Sequence, residues 1–264
     1  MSGALERAFS VLEYLAERPD GSPISTLATD LQLPLSASHR LLAELQRCGY
    51  VRQDAHSGLY VLTVKLVSMG LSFLSKSGIV DVSQPLLDQL AAASGELVRL
   101  AVVDGEELIF VARAQGAKSG LRYDADMGMS VPLSCSSAGH AWLSSFRDDD
   151  AMALVAKAGI ASAAEHGPKA PTSIKAVMTL VRAARQRGFS MINEMFAPGM
   201  SAMAAPVFGA DGSAIGVITV AGPNVRLTPQ RMESLGPVLL DIAAQVGKAS
   251  SASSLFKKRP QAVA

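Results

Sequence analysis

Apolar residues recur at helical spacing from the start of the chain. Leu5, Ala8, Phe9, Leu12, Leu15 and Ala16 mark one face of a helix over about residues 3–17, which Arg18-Pro-Asp-Gly-Ser-Pro ends. Leu27, Ala28 and Leu31 then give a brief helix with Ser25 as its N-cap. Pro34 blocks its continuation, because proline fixes φ and disfavours the α region for the residue before it. A further helix starts at Leu35 or Ser36, buries Leu41, Leu42 and Leu45, and stops at Gly49, the residue suited to a left-handed C-terminus. Two short helices joined by so tight a turn form a helix-turn-helix, whose second helix enters a DNA major groove. The groove-facing positions are those off the leucine stripe: Ser36, Ser38, His39, Arg40 and Glu44. Residues 50–52 and 59–62 read as two strands of a wing, joined through Asp54-Ala-His-Ser-Gly. Arg52 on that wing is placed to touch phosphate or minor groove, and Ser25 and Thr26 to add phosphate contacts.

After the wing the pattern broadens. Leu66, Val67, Met69, Leu71, Phe73 and Leu74 make the stretch from Lys65 to Lys76 apolar nearly all round, which predicts a linker helix packed against a second chain. A helix over 85–93 is expected with Pro85 in its first turn and Leu86, Leu87 and Leu90 inward. Strands follow over 97–103 and 108–113, turned by Asp104-Gly105, and another over about 120–126. A Gly/Met loop then leads into a helix opened by Ser134-Cys-Ser-Ser-Ala-Gly-His. Asp148, Asp149 and Asp150 suit the positive end of the next helix. Thr172 caps a later one that Gly188 stops. Strands over 189–193, 202–208 and 213–221 precede a last helix from Thr228-Pro229 to about Lys248. Hairpins with interspersed helices predict an α+β fold built on an antiparallel sheet. The expected organisation is a winged helix-turn-helix over 1–62, a linker helix over 63–78, a second domain over 79–249 and a disordered tail over 250–264.

Composition changes this picture little. The 264 residues suffice for two domains, with 49% hydrophobic residues and only 18% charged. Net charge is +1, and residues 1–62 hold five arginines against seven carboxylates, a balance of −2. A nucleic-acid binder usually shows a basic footprint, so the DNA reading rests on the motif. Cys48 and Cys135 lie far apart, giving no disulfide framework and no metal site, and no cofactor is implied. No signal peptide or membrane span is recognisable, and a cytoplasmic protein is expected.

Together, Leu5-Glu-Arg-Ala-Phe-Ser-Val-Leu, Ser36-x-Ser-x-Arg-Leu-Leu-x-x-Leu with Gly49-Tyr-Val, Pro132-Leu-Ser-Cys-Ser-Ser-Ala-Gly-His-Ala, Glu194 with Gly199 and Ala204-Ala-Pro-Val, and Thr219-Val-Ala-Gly-Pro resemble the IclR family of transcriptional regulators over nearly the whole chain. The resemblance implies a winged helix-turn-helix, a linker helix and a GAF-like effector-binding domain. It also implies dimers or dimers of dimers on double-stranded operators, acting as repressors or activators of catabolic genes; repression is preferred here. Carried over by motif, the effector cavity is lined by Val131, Ser134, Cys135, Ser136, Ser137 and Ala138, by Met200 and Ala202 on one strand, and by Thr219 and Ala221 on the next. A helix N-terminus rich in hydroxyls suits a carboxylate, so a small carboxylic acid is the expected effector. Ile192, Ala202 and Ala221 stand where members that bind keto acids offer Asp, Cys and Ser. The cavity is thereby less polar, which favours an aromatic or longer acid, with Asn193 and Glu194 at its mouth.

Two other readings compete. Cys135 beside His140 suggests a small-molecule enzyme with a thiolate nucleophile. Residues five apart on a helix share no face, however, and no Gly-x-Ser-x-Gly elbow is present. The −2 balance keeps alive a scaffold protein whose helix-turn-helix no longer binds DNA. Arg40 has the alternative of pairing with Glu44 one turn on, and Lys257, Lys258 and Arg259 that of a solvated tail.

Overall fold

The computed structural model describes residues 3–124, 130–162 and 165–250. It divides into two compact units, one up to Phe73 and one from Leu74.

In the first unit, α1 (Ala4–Ala16), α2 (Ile24–Asp30) and α3 (Leu35–Arg47) surround a small core of Val11, Leu15, Leu27, Leu42, Leu45, Val51 and Tyr60. Pro23, not Ser25, is the N-cap of α2; Ser25 lies exposed in its first turn, because Pro23 holds the extended φ/ψ that admits the helix. The turn into α3 places Gln32 at φ 53, a conformation usually taken by glycine, while the amide of Leu33 returns to the Ala28 carbonyl. Gly49, at φ 78, ends α3 with the Tyr50 amide donating to the Leu45 carbonyl. Strands β1 (Val51–Gln53) and β2 (Tyr60–Leu62) pair antiparallel as a wing. Asp54 folds the connecting turn by accepting from the amides of His56 and Ser57 and from the Ser57 hydroxyl, which pull its pKa down to about 2. Helix α4 (Lys65–Ser77) straddles the division between the units and exposes Val67, Met69, Leu71 and Phe73.

In the second unit, α5 (Ile79–Ser94) begins earlier than its sequence suggests. Pro85 lies inside it rather than in its first turn, and buried Leu87, Leu90 and Ala91 hold the helix through the lost backbone bond. Strands β3 (Leu97–Asp104), β4 (Glu107–Gln115), β5 (Ser190–Asn193), β6 (Met200–Phe208) and β7 (Ala214–Pro223) form one antiparallel sheet in the order β4-β3-β7-β6-β5. Residues 120–124 form no strand, and the rest of that expected strand, with Met127 and Met129, lies outside the described residues. Ser173 rather than Thr172 caps α8 (Ile174–Arg187), its hydroxyl accepting from the Ala176 amide. Ser250, expected in the tail, is the C-cap of α9 (Pro229–Ala249); the tail from 251 lies outside the described residues.

Strand alternation gives the sheet two different faces. On one face Val98, Leu100, Met203, Ala205, Ile218 and Val220 pack in one large core with Leu87 and Leu90 of α5 and Leu235, Leu239 and Ile242 of α9. On the other, Ala101, Phe110, Ala204 and Val217 meet α6 (Ser137–Leu143), α7 (Asp148–Ala158) and α8 through Trp142, Val155 and Val181. That second cover stops short of the sheet's far end, where Arg99, Thr219, Ala221, Met200 and Ile192 line a cavity.

Candidate functional site

Two separate sets of residues carry the candidate chemistry. The first is the outward side of α3. Ser36, His39 and Arg40 are exposed, as are Ser25 and Thr26 on α2 and Arg52 on β1. Ser38 is a correction: it is fully buried, and its hydroxyl donates to the Pro34 carbonyl. The reason is its position. Ser38 stands four residues before Leu42 and seven before Leu45, on the core face, so its polarity does not decide its direction. Glu44 pairs with Arg47 at 2.8 Å rather than with Arg40, which forms no ion pair among the described residues. Arg52 lies 3.4 Å from Asp54 across the wing turn.

The second set lines a cavity of about 360 Å³. Of the residues expected there, Val131, Ser136, Ser137, Ala138, Met200, Thr219 and Ala221 line it. Three do not. Ser134 lines a neighbouring, more open cleft and its hydroxyl accepts from the Ala161 amide. Cys135 is fully buried, and burial pushes its thiol up to about 11, the opposite of what a nucleophile needs. Ala202 is not among the lining residues, although it packs with Ile192, Met200 and Ala221, which are.

The serine cluster also does less than its hydroxyl count suggests. The Ser136 hydroxyl caps α6 by accepting from the Gly139 amide and donates to the Pro132 carbonyl, while Ser190 donates to the Ser137 carbonyl. Helix α6 has only seven residues, and the turn before it comes so close that a Cβ on Gly139 would sit 2.6 Å from the Leu133 backbone. His140 bonds through Nε2 to the Ser134 carbonyl at 2.8 Å, and full burial lowers its pKa to about 4, so it is a neutral strut. These residues hold the cavity's shape. Gly222 does the same behind β7: a Cβ there would meet the carboxylate of buried Glu96, which Arg226 clamps with two bonds of 2.8 and 2.9 Å.

Other lining residues are not legible from the motifs. Arg99, Phe110, Tyr123, Asp124, Ser130, Pro132, His166 and Phe196 complete the wall, together with Ile192, which the resemblance already sets in the cavity. The Arg99 guanidinium lies over the Phe110 ring at 3.7 Å, and burial lowers its pKa while Tyr123 opposes that shift. His166 packs on Phe196 with ring centroids 5.6 Å apart. Arg99 had a sequence signal, a lone cation inside Leu97-Val-Arg-Leu-Ala-Val-Val. Tyr123, His166 and Phe196 come from irregular segments whose spacing predicts nothing.

Comparison with known proteins joins the two sets. The model of the IclR helix-turn-helix domain matches residues 4–55, and that of the bacterial transcriptional regulator IclR C-terminal domain matches 71–248. The chain belongs to the IclR family. The HTH-type transcriptional repressor AllR of Escherichia coli K12 is 29% identical over 249 residues, covering 93% of this chain and 89% of that protein. Among solved structures, an IclR regulator from Alicyclobacillus acidocaldarius aligns with a TM-score of 0.81 at 21% identity, over 95% of this chain and 99% of the other. An IclR homologue from Microbacterium hydrocarbonoxydans, complexed with 4-hydroxybenzoate, gives 0.76 at 20% identity, over 95% and 100%. The IclR fold thus accounts for both units. Among the described residues no helix is long and apolar enough to cross a membrane, and no cluster of ligating side chains is suited to a metal ion.

Proposed function

We propose that this IclR-family chain is a cytoplasmic, ligand-responsive transcriptional repressor. It binds double-stranded operator DNA through α3 and the wing, and its affinity changes when a small organic acid fills the cavity of the second unit. One observation carries the reading: a single chain combines an exposed Ser36, His39 and Arg40 face on a helix-turn-helix with a mostly apolar cavity. The name of the E. coli relative favours repression, and the 4-hydroxybenzoate complex of the M. hydrocarbonoxydans homologue favours an acid. In this reading Ser25, Thr26 and Arg52 hold phosphates, while Ser36, His39 and Arg40 face the groove. Effector contacts come from Val131, Ser136, Ser137, Ala138, Met200, Thr219 and Ala221.

A regulator of this kind works as a homodimer or a dimer of dimers. Val67, Met69, Leu71 and Phe73 on α4, with Leu5 and Phe9 on α1, are 52–71% exposed, a greasy surface that a second copy would cover. Residues 1–62 would be the reading head, 63–78 the linker and 79–249 the sensor. Ligand shifts the head by no more than its differential affinity for the two states, typically about 1–3 kcal/mol.

The test is fluorescence anisotropy on a labelled duplex taken from upstream of the gene, across a salt series. The expected result is binding that weakens with salt, with Arg40→Ala losing about 1–3 kcal/mol of affinity. Binding that is equally weak to every duplex at low ionic strength, and indifferent to Arg40→Ala, contradicts the reading and leaves the scaffold alternative.

A further inference from the structure

We infer that Lys65, although a cation of the DNA-binding unit, does not touch DNA: it is a positioning residue that fastens the C-terminal end of α3 to the first turn of α4. Thr63 and Tyr50 complete the clasp. The inference rests on the proposed operator binding and deepens it, by naming what sets the direction in which α3 is presented.

A set of short contacts joins residues 48–50, at the end of α3, to residues 63–69, at the start of α4. The Lys65 ammonium donates to the Cys48 carbonyl at 2.6 Å and lies 4.5 Å from the centre of the Tyr50 ring. The Thr63 hydroxyl donates to the Gly49 carbonyl at 2.6 Å, and the Thr63 amide to the Tyr50 carbonyl at 2.9 Å. The same hydroxyl accepts from the Lys65 amide at 3.3 Å, which ties down the first residue of α4. The Tyr50 hydroxyl reaches Met69 Sδ at 3.4 Å. Lys65 and Met69 are one turn apart, so Tyr50 lies along a single face of α4. Cys48 is the C-cap of α3, and its carbonyl belongs to the negative end of that helix, where a cation is favoured. The Lys65 stem passes beside Gly49, where a Cβ would meet its Cδ at 3.8 Å.

The position of the clasp separates Lys65 from the cations that read DNA. In a helix-turn-helix the N-terminal residues of the second helix meet the base edges, and Ser36, His39 and Arg40 are those residues. Lys65 sits at the other end of α3, with its charge turned onto a backbone carbonyl and a ring of its own chain. Every link lies within residues 48–69 of the first unit, so α3 and the start of α4 make one body. With α4 paired against a second copy, that body fixes the separation of two recognition helices along a duplex. Without the clasp α3 still folds, because Leu42 and Leu45 stay in the core, but its direction relative to α4 is no longer held.

The experiment is anisotropy of the full chain on the upstream duplex, and on the same duplex with one base pair inserted at the centre of its footprint, across a salt series. Wild type is expected to bind the insertion about tenfold or more weakly, because one base pair turns and shifts one half-site against the other. The double variant Lys65→Met, Thr63→Val should lose about threefold or less, while Lys65→Arg, which keeps a cation for the same carbonyl, should retain the wild-type ratio. The dependence of log affinity on log salt should be the same in Lys65→Met as in wild type. A slope smaller by about one per chain makes Lys65 a phosphate contact and overturns the inference. An equal insertion penalty in wild type and the double variant overturns it, as does no penalty in wild type. If wild type binds no upstream duplex, the regulatory reading fails and amide exchange decides the inference by itself. In Lys65→Met, exchange at Tyr50 and Thr63 should quicken together by about threefold, with Val11 and Leu15 of α1 unchanged; unchanged exchange at Tyr50 and Thr63 overturns it.

Discussion

The two faces of the five-stranded sheet carry the same alternation of side chains and end in opposite conditions. Toward α5 and α9 the face is closed: Leu100, Met203, Ile218, Val220 and Leu239 are fully buried in one continuous core. Toward α6 it is closed over Ala101, Ala204 and Val217 and then open over Arg99, Thr219 and Ala221. The sheet supplies a flat wall either way. What leaves a cavity is that the short α6 covers only part of one face. The uncovered part then holds a cation and a hydroxyl where the covered part holds Ala and Val.

This contrast is broken most severely from the closed side. Leu239→Ala removes buried methyl groups from a packed interior and should cost about 2–5 kcal/mol in denaturant unfolding. If the loss were under about 1 kcal/mol, the closed face would be far looser than described. A comparable effect is expected from pH through His140. Its folded pKa of about 4 lies below the unfolded value of 6.5, so the unfolded chain takes up a proton first as pH falls. The His140 contribution should be constant above pH 6.5, decline between 6.5 and 4 by roughly 3 kcal/mol, and level off below, and His140→Gln should flatten that interval. On the open side the sign reverses. Thr219→Val removes a buried hydroxyl without a partner and keeps the shape, so unfolding free energy should hold or rise by about 1 kcal/mol while acid binding weakens. Loss of stability there would mean that Thr219 supports the fold rather than a ligand. The smallest effect is kinetic. Exposed Cys48 should react readily with a maleimide at pH 7.5, and buried Cys135, its thiol held up near 11, should react only on unfolding. A fast-reacting Cys135 would revive the enzyme reading.

Much of this was legible in the sequence where spacing alone decides. The leucine stripe of α3, Pro34 and Gly49 specify the helix-turn-helix, and Asp104-Gly105 the β3–β4 hairpin. Residue type misleads where position decides. The hydroxyl of Ser38 suggests the DNA face, although its spacing to Leu42 and Leu45 puts it in the core. Pro85 suggests a helix start, although packing of Leu87 and Leu90 carries the helix through it. In the cavity the motif points to Ser136, Ser137, Ala138, Thr219 and Ala221, which line it, since these lie on regular elements. It also points to Ser134 and Cys135, which do not line it, next to the tight turn onto Gly139. Arg99 was visible as a lone charge in an apolar strand, but only the pairing of β3 with β7 brings it beside Thr219.

The central claim is that filling this cavity changes how tightly the other unit holds DNA. Its most direct test is the dissociation constant of the protein for its upstream duplex at fixed salt, measured with and without saturating benzoate or 4-hydroxybenzoate. The account predicts a shift of roughly 5–150-fold. An unchanged constant, with calorimetry showing the cavity filled, would contradict it.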